Sequence, residues 1–195
     1  MDVEHRWLED RKVEWETGEA KGPMHITGKP DTHCSAFAAA AGHRLGVYML
    51  RPPEHPQLYL ASAQGRWFES EAARKKGWVQ VMSSREAQRL ANGGELVILN
   101  FINPVPGEHG HIVIVRPAVK TDAALAEDGP ETMQAGKTNF ADGTAKRSFH
   151  SHPGAWPTQV TMWAHHTRLQ GTFPDVEPEP DKPMPALVPP PAPQQ

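Results

Sequence analysis

The sequence is poor in cysteine: Cys34 is the only one among 195 residues. An internal disulfide is excluded, and with it any zinc site built from several thiolates. Long apolar runs are missing as well, since nothing approaches the ~18 residues of a membrane span. Neither sign of charge prevails. Lys and Arg number 20 against 23 Asp and Glu, and no long basic run occurs, which argues against a nucleic-acid surface or a polybasic membrane contact. The opening MDVEHRWLEDRKVEWETGEA is charged throughout and lacks the apolar segment of a signal peptide. The expectation is a chain made in the cytoplasm, with three routes to a substrate open: delivery to the periplasm or extracellular space by a dedicated secretion system, a leader outside this sequence, or a cytosolic target.

What the chain does have is histidine (11) and proline (20) in a length that suits one domain. Nine of the prolines fall in Phe173–Gln195. That segment favours extended polyproline II and cannot build a core, so residues 1–172 are expected to be the folded domain and 173–195 a disordered tail. Pro189-Pro190-Pro191 would suit a protein partner with an aromatic groove.

Along the chain, Asp2–Ala20 reads as a helix carrying Val3, Trp7, Leu8, Val13 and Trp15, broken by the turn-rich Lys21–Asp31. Asp31 or Thr32 would cap a buried, alanine-rich helix over His33–Leu45, ending near Gly46. Gln57–Lys76 reads as one or two helical segments, and Ser83 or Ser84 caps a short helix over Arg85–Ala91 that stops at Asn92-Gly93-Gly94. The pattern then turns extended. Glu95–Ile102 and His111–Val115 are β-branched runs bounded by Gly and Pro, with weaker strand signals at Glu131–Ala135 and Val160–Ala164. Helices first and strands second predict an α+β fold, with N-terminal helices on a small, mostly antiparallel sheet. Trp67 and Trp163 are expected in its core.

Cys34 falls at the start of a helix, where the dipole and unpaired amides favour an anion and would lower a thiol pKa. A nucleophilic thiol also needs a base and a group that orients the base. His111 opens a strand after a glycine-flanked loop, and Gln134 stands in the next strand candidate, where its carbonyl would accept the His111 Nδ1 proton.

These residues lie in an ordered set of segments that resembles the NlpC-like peptidoglycan hydrolases and is similar to the CHAP amidases. Cys34-Ser35-Ala36-Phe37 resembles their Cys-Ser-Gly-Phe, and Gly46–Gln57 (GVYMLRPPEHPQ) their segment of Gly, an aliphatic, Leu-Pro-Arg and a downstream Gln. Gly94-Glu95-Leu96-Val97 resembles Gly-Asp-Leu-Val, and Gly110–Val115 (GHIVIV) the histidine strand Gly-His-Val-Gly-Ile-Tyr. Met133-Gln134-Ala135-Gly136 falls where that family has an aliphatic, a His, Ala and Ser. The resemblance spans roughly residues 31–140 and implies a papain-like fold, with Cys34 as nucleophile, His111 as base and Gln134 as orienting group. Asn139 is the alternative orienter, and His25 a candidate for the second oxyanion donor. It further implies a cysteine amidase or endopeptidase that needs no cofactor, acting on peptidoglycan stem peptides or another peptide. If the chain is a delivered toxin, an inhibitor protein is a further expected partner.

Two other classes stay open. The pairs His109/His111 and His150/His152, at i, i+2 on a strand, would chelate zinc with a carboxylate such as Asp142. A papain-like module without turnover would bind a partner through its surface or its tail. His150–Pro153 also reads as a surface loop, His165-His166 as the wet end of a strand, Arg51 as a cleft or turn residue, and Glu95 as a capping or pairing group.

Overall fold

The computed structural model describes residues 1–24 and 33–169. The fold is mixed α+β. Helices α1 (Cys34–Arg44), α2 (Leu60–Phe68) and α3 (Glu71–Lys75) come first. Strand β1 (Val79–Val81), helix α4 (Ser84–Asn92) and strands β2 (Leu96–Phe101) and β3 (His111–Val115) follow. Helix α5 (Asp122–Asp128), strands β4 (Glu131–Gln134) and β5 (Phe140–Thr144), helix α6 (Ala145–Ser148) and strand β6 (Val160–His165) complete it. The strands form one sheet in the order β1-β6-β2-β3-β4-β5, with every pair antiparallel.

Burial of the sheet on both faces explains why β2 and β3 read as continuous apolar runs. On one face Leu96, Ile98, Ile112, Ile114 and Trp163 pack with α1 and with Phe68 of α2. On the other, Val97, Leu99, Phe101, Val113 and Val115 pack with Ala87 and Ala91 of α4 and with Ala145 and Phe149 at α6. Helix α1 is buried from Cys34 to Gly42. Its alanines let the helix backbone lie close to β3, which larger residues would prevent. Helix α4 starts where Ser83 Oγ accepts the Glu86 amide at 3.2 Å, a cap worth about 1 kcal/mol. Trp163 is in the core and Trp67 is half-buried at its margin.

The N-terminal segment departs from expectation. Residues 2–20 form turns closed by a single antiparallel bridge, Val13 to Ala20, and no helix. Trp7 is the reason. Its ring is fully buried, its amide donates to Gly18 O at 3.0 Å, and its φ is +56°. A Cβ on Gly18 would sit 2.3 Å from the indole, so the chain wraps the ring at a residue without one. Asn139 Nδ2 then donates to the carbonyls of Val3, Arg6 and Trp7 at 2.9 to 3.3 Å. Burying Val3, Trp7 and Val13 against α1 outweighs the helix propensity of a charged segment.

A fork between β3 and β4 shapes the site. The two strands pair at Ile114–Met133 and Val115–Thr132 and through the Arg116 amide to Glu131 O at 3.0 Å. Beyond Ile114 they separate, and β4 shifts register against β5 between Thr132 and Gln134.

Candidate active site

Cys34 is the first residue of α1 and is buried. The N-cap, His33, offers no side-chain cap, and its Nε2 lies 2.8 Å from Arg11 O, tying the helix start to the N-terminal turns. The backbone amides of Ile112, Ser35 and Cys34 itself are directed at the sulfur and favour its anion. Burial acts against them and wins, pushing the thiol up to about 11. This corrects the expectation of a lowered pKa. A helix terminus contributes roughly 1 kcal/mol near the surface, and removing a thiolate from water costs more than that here.

His111 begins β3 and pairs across the ladder with Phe101. Its ring leans to the face opposite α1. There Phe149 meets it edge-on at 5.4 Å between centroids and His152 stacks on it at 5.5 Å. His111 Nε2 is 2.8 Å from Gln134 Oε1, and Gln134 Nε2 donates to Thr138 O at 2.8 Å. This chain of bonds assigns the tautomer. A backbone carbonyl only accepts, so the Gln134 amide must turn its NH2 to Thr138 and its oxygen to His111. The imidazole proton therefore sits on Nε2, and Nδ1 carries the lone pair. The sequence reading had Gln134 holding Nδ1; the structure has it holding the other nitrogen, which leaves Nδ1 as the basic atom. Burial holds His111 down at about 4, against a raising effect of the Gln134 bond, with a smaller lowering contribution from His152.

Among the described residues no hydrogen bond joins Cys34 to His111. The two meet through the backbone: Cys34 faces the amide of Ile112, the next residue after His111. Asn139 makes no hydrogen bond to His111. Its Oδ1 accepts the Gly136 amide at 2.9 Å and its Nδ2 serves the N-terminal carbonyls, so the alternative orienter is a brace for residues 3–7. His25, proposed as an oxyanion donor, and the tail prolines lie outside the described residues.

The zinc arrangement does not form. Among the described residues no three His, Cys, Asp or Glu side chains converge as a metal would require. His109 lies in the loop before β3, its ring tilted against Tyr59 at 4.9 Å between centroids. His150 and Asp142 are exposed. Arg51 is engaged elsewhere, with Nη1 2.7 Å from His43 Nδ1 and its guanidinium over Trp15 and Tyr48. Glu95 pairs with His166 at 3.0 Å.

Cys34 opens onto a groove of about 1070 Å³ walled by Trp15, Ser35, Tyr59, His109 and Gly110. Sequence reasoning did not name Phe149, which flanks the base, or Thr138, which orients the orienter, and it read His152, the other flanking ring, as a zinc ligand. The run Ser148–Trp156 has no periodicity that would direct it to the site, and a backbone carbonyl leaves no residue-type signal at all. In comparisons with known proteins, no family model and no curated sequence matches the chain.

Proposed function

We propose that this chain is a papain-like cysteine hydrolase of amide bonds, with Cys34 as nucleophile, His111 as base and Gln134 as orienting group. The observation that carries the reading is the bond chain from His111 Nε2 through Gln134 to Thr138 O. It selects the neutral tautomer whose free, proton-accepting nitrogen is Nδ1. In the reaction, once substrate has brought the thiol and the ring within reach of each other, the Cys34 S–H proton passes to His111 Nδ1 as sulfur attacks the amide carbonyl. His111⁺ then protonates the departing amine, leaving a thioester. Water, deprotonated by His111, releases the acid and restores the thiol. Gln134 is neutral and steadies the imidazolium less than a carboxylate would. The substrate class that the sequence resemblance supports is a peptide of the peptidoglycan stem.

One observation favours the competing reading of a binding module without turnover. Thiol and imidazole are both buried and neutral, and they do not bond to each other. Incubation with peptidoglycan fragments, followed by mass spectrometry for a new amine and a new carboxylate end, separates the two. Hydrolysis lost in Cys34→Ala and His111→Ala, with both variants folded and the wild type insensitive to chelator, is the expected result. Intact fragments after incubation with wild type, repeated on a panel of other peptides, would move the chain to the non-enzymatic class.

A further inference from the structure

We propose that the backbone amide of Ile112 is a catalytic group of the Cys34 site, the sheet-derived donor that holds negative charge on the sulfur. The register carries this assignment. Alternate amides of an antiparallel strand point to the same neighbour, and the Arg116 amide bonds Glu131 O of β4. The amides of Ile114 and Ile112 therefore face β4 too. Pairing with β4 ends at Ile114–Met133, so Ile112 has no ladder partner, although its register position falls opposite Ala135. Ile112 is fully buried, and a buried amide needs an acceptor. Cys34 is buried in one cluster with Ile112 and Ala135, and the Ile112 amide is directed at its sulfur. A donor to sulfur is weak while the thiol is protonated and strengthens when the sulfur becomes anionic. The contact is thus made most strongly in the state that attacks.

The inference rests on Cys34 being the reacting group of the proposed function, but its test needs no substrate, so the two can fail separately. The chain has five isoleucines, so ¹⁵N-isoleucine labelling of the full chain resolves the amide concerned. Hydrogen exchange at Ile112 is expected to be about tenfold faster in Cys34→Ala than in wild type, the loss of one modest hydrogen bond. Ile98 and Ile114 should stay within twofold. Unchanged protection at Ile112 would overturn the assignment. If Ile98 and Ile114 also accelerate, the variant has loosened the sheet and a second measurement decides. Replacing the Ile112 amide with an ester by semisynthesis deletes the N–H and leaves every side chain in place, while weakening the His111 carbonyl as an acceptor opposite Phe101. Cys34 alkylation at a fixed pH below its titration should then slow roughly tenfold, one pKa unit. An unaltered rate would refute the proposal.

Discussion

The ionisation state of Cys34 is the property on which the structure and the sequence disagree most sharply, and alkylation by iodoacetamide reads it directly. With the thiol held near 11, on the order of one molecule in a thousand carries a thiolate at pH 8, where an unperturbed thiol near 8.5 is about one quarter ionised. Iodoacetamide should therefore modify Cys34 ~200-fold more slowly than a free cysteine at pH 8, before any steric slowing from burial. The rate should climb about tenfold per pH unit through pH 10. His111→Ala should leave the profile unshifted, because a neutral imidazole near 4 gives the sulfur no positive charge. The same two values put the imidazolium–thiolate pair on the order of 10 kcal/mol above the neutral pair. A turnover of ~10 per second corresponds to a barrier of about 16 kcal/mol, so the neutral pair is the resting state and proton transfer would take up more than half of the barrier unless substrate rearranges the site. A rate plateau below pH 7 that disappears in His111→Ala would refute this reasoning. It would show that Cys34 and His111 already form an ion pair in the free protein.

Acid should destabilise the fold through His111. Its folded pKa lies below the unfolded value of about 6.5, so the unfolded chain binds more protons, and stability falls as pH drops from about 6.5 to about 4, by ~3 kcal/mol. Urea unfolding at pH 7 and pH 4.5 checks this, and His111→Leu should be less acid-sensitive by that margin; an equal slope in both would remove His111 as the cause. Gln134→Leu strands the His111 Nε2–H and Thr138 O, so it should cost about 1–3 kcal/mol in denaturant midpoint and cut peptide hydrolysis at least tenfold. Asn139→Ala removes the donor to three N-terminal carbonyls and should cost roughly 2–3 kcal/mol, with hydrolysis per folded molecule nearly intact. A larger activity loss in Asn139→Ala than in Gln134→Leu would reverse the assignment of their roles. Gly136→Ala would place a Cβ 3.1 Å from His111 Cε1, so kcat should fall while KM holds, and unchanged kcat would mean that the imidazole has room to shift.

Much of the architecture was legible because its signals are local. The alanine run of α1, the Ser83 cap of α4 and the β-branched runs of β2 and β3 each declare an element within a few residues, and β4 and β6 carry weaker signals of the same kind. Strands β1 and β5 did not. The first is three residues long, and the second, FADGT, carries Asp and Gly that strands disfavour; both are strands because a neighbour offers an open edge. Residues 2–20 misled for a related reason, since their carbonyls are satisfied by Asn139, a residue more than 130 positions away. At the site, Cys34 at a helix start and Gln134 against His111 follow from residue order on adjacent elements.

By itself, then, the sequence determined the α+β class, the single thiol and the pairing of an imidazole with an amide side chain, because each depends on residue type and short-range pattern. Tertiary structure decided which nitrogen of His111 is free, through a carbonyl at Thr138. It decided that the thiol is protonated, through burial between α1 and β3. It also decided which amide faces the sulfur, through the point where β4 leaves β3. Those three outcomes depend on backbone groups and on exclusion of water, and neither is written in the identity of any one residue.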